Sequence, residues 1–405
     1  MAYVGLKPLV KAVGYDCEHD KLKVRRTYLL TSFHMKVPLI NLQAQYVSLR
    51  DELRPIVDEI FESQHFVLGR YVRSLETALA NYSHTTHAIG CASGSDALLL
   101  ALMALDVRQG DEVITTPFTF FATGSAIARL GAKPVFADID PATYNIDSNQ
   151  VPALITSRTK AIIPVHLYGQ CADMDSLLAI SQKTGIPIIE DAAQAIGAED
   201  RGRRAGSMGL MGTLSFYPTK NLGGAGDGGM VTTSDEGCAT RVRRLRSHGG
   251  ATEYEHEEVG VNSRLDELQA AVLYVKFAHL DHWSNLRAEK AALYSTLLRE
   301  ADLKLEVVPP FVRNDGRHIF HQYVIRVPQH RDRLALYLKE RGIGTKVYYP
   351  IPLHHQVCFE YLGYKNSSYP HSEKAANETL ALPMFPELTR EQQEYVVDSI
   401  QSFEC

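Results

Sequence analysis

Residues His87 to Thr115 read HAIGCASGSDALLLALMALDVRQGDEVIT, two short apolar runs separated by a helical one. His87 to Cys91 reads as a strand, Asp96 to Leu105 as a strongly apolar helix, and Glu112 to Thr115 as a second strand. The strands are apolar throughout rather than alternating. That is the pattern of a parallel sheet covered on both faces.

The alternation continues outward. Upstream, Tyr46, Leu49, Leu53, Ile56, Val57 and Ile60 recur at helical spacing. Downstream come a helix at Thr123 to Leu130, a strand at Pro134 to Asp138, a strand at Lys160 to His166, a helix at Met174 to Lys183 and a very apolar strand at Ile186 to Glu190. The expected fold class is therefore α/β with a mostly parallel sheet. The pattern changes after about residue 280. One long helical stretch from Asp266 to about Ala301 is expected, then Pro309 and Pro310, a strand at His321 to Val327, and helices at Arg331 to Arg341 and from Arg390. The expected organisation is a large domain at 35–280 and a smaller C-terminal α+β domain at 281–405. Residues 1–34 carry charges of both signs from Asp16 to Arg26 and only a short apolar run at Tyr28 to Leu30. They are expected to be a disordered or wrongly annotated extension.

The chain has 405 residues, 45% hydrophobic and 22% charged, with a net charge of -5. That length suits two or three domains, and the charge speaks against a general nucleic-acid binder. No run of 18 apolar residues marks a membrane span. None of the six cysteines forms a CxxC pair, so zinc, iron–sulfur and disulfide frameworks lack support and reduced, cytoplasmic thiols are expected. His279 and His282 share a helix face, which reads as surface rather than as a metal site, and no metal is expected. Arg241, Arg243, Arg244 and Arg246 are either a basic mouth for a diphosphate or, more plainly, the charged end of a helix.

Gly224, Gly226 and Gly229 spell GxGxxG, but they run into Met230 to Thr233, a strand-forming segment. A dinucleotide site needs a helix there, so the glycines read as a tight loop. The chemistry lies around them. Ala92 to Asp96 places Gly94 and Ser95 at a helix N-terminus, where free N–H groups face anions, although a plain helix cap reads the same way. Asp191 ends an apolar strand, the ligand end of an open α/β sheet, but Asp138 and Asp173 lie in similar places. Thr213 to Lys220 is an apolar strand delivering a lysine into the glycine loop, and a lysine taken out of water there gains nucleophilicity. Gly260 to Asp266 is a polar loop before a helix.

The segments SGSDAL, PFTFFAT, EDAAQA, SFYPTKNLG and VNSRLDELQAAVL together resemble the DegT-type sugar-nucleotide aminotransferases, fold-type I enzymes that use pyridoxal 5'-phosphate (PLP). The resemblance covers essentially all of 35–405. It implies that Lys220 holds PLP as a Schiff base and shuttles the proton. It implies Asp191 at the ring nitrogen, Phe120 on the ring face and Gln194 on the ring hydroxyl side. Gly94, Ser95 and Ser215 would hold the phosphate, joined by Asn262 from a second subunit of a homodimer. Substrates would be an amino acid, glutamate expected, and a keto sugar on a nucleotide. FHQYVIRV and GIGTKVYYPIPLH resemble members that aminate C3, with a C4 aminotransferase as the alternative. Tyr217, Arg264, Tyr348, Tyr349 and His354 become substrate-side candidates, with subunit-interface packing as their other reading. A dehydratase on the same scaffold would replace the lysine with histidine, and a regulator would keep the fold without turnover.

Overall fold

The computed structural model describes residues 35–404 except Glu253; the extension expected at 1–34 lies outside the described residues. Two helices lead, α1 (Leu42–Ser63) and α2 (Arg70–Tyr82). Strands and helices then alternate as β1 (His87–Cys91), α3 (Gly94–Ala104), β2 (Glu112–Thr115), α4 (Phe121–Arg129), β3 (Lys133–Phe136), β4 (Thr159–Ile162), α5 (Met174–Thr184) and β5 (Ile189–Asp191). β6 (Met211–Ser215) and β7 (Gly229–Thr233) follow, then α6 (Glu236–Leu245), α7 (Glu267–Phe277) and α8 (Leu280–Glu300).

β3, β2 and β4 pair in parallel. β4 runs on beside β5 through parallel bridges at Ile162–Ile188 and Val165–Asp191. β5 pairs in parallel with β6, and β7 runs antiparallel to both β6 and β1. The sheet is mostly parallel, as the unbroken apolar runs imply, with β7 reversed. Both faces are covered. On one, Ile60, Leu75, Leu79 and Leu273 of α1, α2 and α7 pack on Leu214 and Phe216. On the other, Leu98, Leu102, Val242 and Leu245 of α3 and α6 pack on Ile89, Val113, Ile189 and Val231. Each such side chain contributes roughly 1.5–3 kcal/mol on burial.

The expected continuous helix from Asp266 to Ala301 is two helices. The last turn of α7 tightens, with Ala278 and His279 N–H donating to Val275 and Lys276 carbonyls three residues back. The break lets Trp283 of α8 turn onto Val272 and Val275 and join Leu49 and Leu53 of α1. His279 stacks on Trp283 at 5.5 Å, so it serves packing at the break.

The remaining chain forms β8 (Tyr323–Arg326), α9 (Arg331–Glu340), α10 (Pro370–Glu378), β9 (Thr379–Leu382) and α11 (Arg390–Gln401). β8 and β9 pair antiparallel. Their core is separate from the sheet's. It joins Tyr294 and Leu298 of α8 to Tyr323, Ile325, Leu334, Leu338, Leu380 and Val396.

A polar plug braces the ligand end of the sheet. Glu190 is fully buried. Its carboxylate accepts N–H bonds from Gly206, Met208 and Gly209 at 2.6–2.8 Å. His166 Nδ1 accepts the Ala172 N–H, so Nε2 carries the hydrogen that it shares with Glu190 at 2.8 Å. Replacing Glu190 by Ala strands four donors, those of Gly206 and His166 fully buried and the other two partly so, and a loss of about 3 kcal/mol or more is expected. Urea unfolding of E190A checks this; an unchanged midpoint would contradict it.

Candidate active site

The parallel register sets Asp191 beside Thr213, two residues before the end of β6. The strand end thus presents a carboxylate next to the loop that carries Lys220. Asp191 is buried. Thr123 donates to its Oδ2 at 2.8 Å, and the Ala193 N–H donates to Oδ1 at 3.2 Å. Thr123 spends its hydrogen on Asp191, so Thr119, 3.1 Å away, donates to Thr123. Burial pushes the Asp191 carboxyl above its ordinary pKa, while Thr123, the Ala193 N–H and the charge of Lys220 pull it back. Removal from water lowers the Lys220 ammonium to about 8, against the pull of Asp191. The other two aspartates are committed elsewhere. Asp138 accepts from the N–H groups of His371 and Ser372 at the start of α10, and Asp173 accepts from Ser176.

The turn before α3 lies against the end of β6. Ser93 caps the helix, its Oγ accepting the Asp96 N–H at 3.1 Å, and its carbonyl takes the Ala97 N–H. The N–H groups of Gly94 and Ser95 are left without an acceptor among the described residues. A Cβ on Gly94 would stand 2.5 Å from Ser215 Cβ, so only glycine allows this approach. Ser215 Oγ stays beside the turn.

An aromatic and amide wall closes another side. Gln194 Oε1 accepts the Tyr168 N–H at 2.7 Å, and Nε2 donates to Tyr349 Oη at 2.9 Å. The Tyr349 ring lies 5.9 Å from Phe120 and 5.7 Å from Tyr348. Tyr168 Oη donates to the Tyr348 carbonyl. Phe120 is 56% and Tyr217 53% exposed, so both aromatics stand open toward incoming molecules.

Other candidates sit apart. Ser263 bonds inward, to Asp96 Oδ2 at 2.8 Å and to the Ala92 N–H. Its neighbours Asn262 and Arg264 bond each other at 3.1 Å, and Asn262 is exposed. His354 is buried against Tyr369, with Nε2 3.3 Å from Glu373. Its ligand atoms and those of His355 and Glu373 lie within 4.8 Å of one another, but Glu373 already accepts the Tyr369 N–H. The arginine cluster is neutralised. Arg241 and Arg244 meet Glu258, and Arg246 meets Glu76 and the Gly90 carbonyl. GxGxxG runs into β7, not a helix.

Sequence reasoning passed over Thr119, Thr123, Tyr168 and Ser263. The first two carried a signal: two threonines four apart on either side of the start of α4. Ser263 carried a weaker one, its place between two outward residues. Tyr168 carried none.

A match to the DegT/DnrJ/EryC1/StrS aminotransferase family spans residues 47–401. A protein of Geobacillus stearothermophilus named "Pleiotropic regulatory protein" is 56% identical, covering 91% of this chain and 99% of its own. The UDP-N-acetyl-3-dehydro-alpha-D-glucosamine 3-aminotransferase of Acidithiobacillus ferrooxidans is 45% identical, covering 88% and 95%. The crystal structure of S. venezuelae DesV in complex with a ketimine intermediate superposes with a TM-score of 0.87 at 40% identity, covering 90% and 98%.

In cofactor-free protein, acylation of Lys220 is expected to titrate near 8. Asp191→Asn should move that midpoint lower, because a favourable charge is lost. Peptide mass spectrometry across pH reads it; a midpoint at the ordinary lysine value, or no effect of D191N, would contradict the arrangement.

Proposed function

The chain belongs to the DegT/DnrJ/EryC1/StrS aminotransferase family, and from that footing we propose that it moves an amino group from an amino acid, glutamate first, to C3 of a keto hexose carried on a nucleoside diphosphate. It is a PLP-dependent aminotransferase. The residues present fit that cofactor. The Gly94 turn is a cradle too tight for a side chain but lined with N–H and hydroxyl donors, which suits a phosphate. A buried carboxylate with an amine beside it suits the ring and its carbonyl. The observation that carries the reading is the buried carboxylate of Asp191 at the end of β5, next to the loop that leaves β6 and carries Lys220, each acting on the other's charge.

PLP, when bound, supplies a carbonyl that condenses with amines and a ring that takes up the electron pair left when a neighbouring carbon loses its proton. The protein's part is to hold and to move protons. Lys220 Nζ would hold the cofactor's carbonyl end, and as a free amine it would be the group that takes up and returns protons on the substrate side. Its lowered pKa keeps a working share of neutral amine near neutral pH. Asp191, which accepts from Thr123 and the Ala193 N–H, would face the ring nitrogen. Gly94, Ser95 and Ser215 would take the phosphate, Phe120 the ring face and Gln194 the ring hydroxyl side. Lys220 would serve as the proton-moving group with the keto sugar as well.

Amination at C3 rests on the Acidithiobacillus relative and on the segments from Phe320 and Gly342. Tyr217, Tyr348 and Tyr349 are the substrate-facing residues of the same subunit. Arg264 and Asn262, turned outward beside Ser263, serve the site of a second subunit in a homodimer. The exposed Leu42, Tyr46, Val47 and Phe61 of α1 support such an assembly. Among the described residues no helix is long and apolar enough to cross a membrane, and the described cysteines are unpaired. A cytoplasmic setting is in keeping with both. The name of the Geobacillus relative raises a regulatory reading, which the same assay separates.

Glutamate is expected to convert the bound cofactor to its amine form. A 3-keto sugar on UDP or dTDP should then return it, with the new amine at C3 by NMR. Consumption of 4-keto sugars alone would overturn the C3 assignment. Cofactor binding with no half-reaction for any amino acid would favour the regulatory reading.

A further inference from the structure

The glycines of the GxGxxG segment are not explained by the chemistry above, and neither is a lysine buried in α7. Lys276 is buried and forms no salt bridge with a carboxylate among the described residues. Its Nζ donates to the Gly223 carbonyl at 2.6 Å, and loss of water lowers its pKa to about 8. Gln269 lies seven residues earlier, on the same face of α7. Its Oε1 accepts the Ala225 N–H at 2.8 Å.

Both partners belong to the loop that carries Lys220. That loop leaves β6 at Phe216 and closes on itself where the Gly224 N–H donates to the Phe216 carbonyl at 2.8 Å. Lys220 lies midway, its own N–H bonded to the Tyr217 carbonyl. A Cβ on Gly223 would stand 2.2 Å from the Pro218 carbonyl oxygen. Cβ atoms on Gly224 and Gly226 would stand 2.8 and 2.9 Å from the Gln269 amide. Gly229 passes under the Ser93 carbonyl, where a Cβ would meet its carbon at 2.3 Å. The glycines therefore give close approach: two to Gln269, one to the turn at Gly94. On the other side, Asn221 is held by the Ile319 carbonyl and by His321.

We propose that Gln269 and Lys276 are positioning residues for Lys220, a two-point clamp from α7 that fixes the downstream limb of the lysine loop. The upstream limb is fixed by β6 itself. Without the clamp, the closed loop would rest on its own backbone bonds and on Asn221, with no side chain of α7 holding its downstream limb. A buried ammonium on a carbonyl is a strong hydrogen bond, and small displacements of a reacting group are costly in rate. The inference rests on Lys220 as the cofactor-bearing lysine.

The test uses the holoenzyme with Lys276→Met and Gln269→Leu, which keep most of each side chain's bulk, and Gln269→Glu, which keeps the acceptor. In K276M and Q269L, amide exchange of residues 217–225 should quicken by about tenfold or more, and the visible band of the lysine-linked cofactor should titrate at a shifted pH. The first-order rate of the glutamate half-reaction should fall by about tenfold or more at saturating donor. Q269E should recover most of that loss. If both variants bind cofactor and match the parent in half-reaction rate and band titration, the clamp is refuted. Should K276M not fold, Q269L and Q269E decide alone. Lys220→Ala is the control. If it retains a lysine-linked band, the reading of Lys220 has failed; if it loses the band while the clamp variants behave as the parent, only the clamp has.

Discussion

Asp191 at the end of β5 and Lys220 in the loop after β6 each lose hydration that the charged form would otherwise keep. Burial raises the one group's pKa and lowers the other's. Their mutual attraction offsets part of that cost, and the rest must come from fixed partners. The parallel pairing of β5 with β6 makes the attraction possible, since Asp191 faces Thr213 and the lysine loop begins three residues on. Thr123 and the Ala193 N–H hold the carboxylate, with Thr119 behind them. Stabilising an active-site charge this way spreads the constraint to α4, to β5 and to the turn that follows.

Further bracing has the same geometric origin. Glu190 precedes Asp191 in a strand, so its side chain faces the other way. There it gathers three backbone N–H groups and His166. One dipeptide thus splits its two carboxylates between a structural plug and the proposed reactive centre. The reversed strand β7 matters too. Gly229 at its start lets the sheet reach the Ser93 carbonyl, so the Gly94 turn, Ser215 and the lysine loop share one small volume.

Much of this was legible in the residues. Unbroken apolar strands announced a sheet covered on both faces, and the run of Met230 to Thr233 after the glycines ruled out a dinucleotide loop. The plain reading of Arg241 to Arg246 held because acidic partners meet it in the fold: Glu258 from the next loop, and Glu76 from far away in sequence. The same sequence distance hid other features. Nothing near Lys276 says that it meets Gly223, and nothing near Tyr168 says that it meets Gln194. The break between α7 and α8 carries no glycine or proline; it follows from where Trp283 packs. His354, a candidate by its motif, has its contacts with Tyr369, His355 and Glu373 rather than with Lys220.

The central claim is that one lysine among many carries the cofactor. Borohydride reduction of the holoenzyme, followed by peptide mapping, tests it most directly. The account predicts a single phosphopyridoxyl adduct, on Lys220. An adduct on Lys276 or on any other lysine, with Lys220 unmodified, would contradict it.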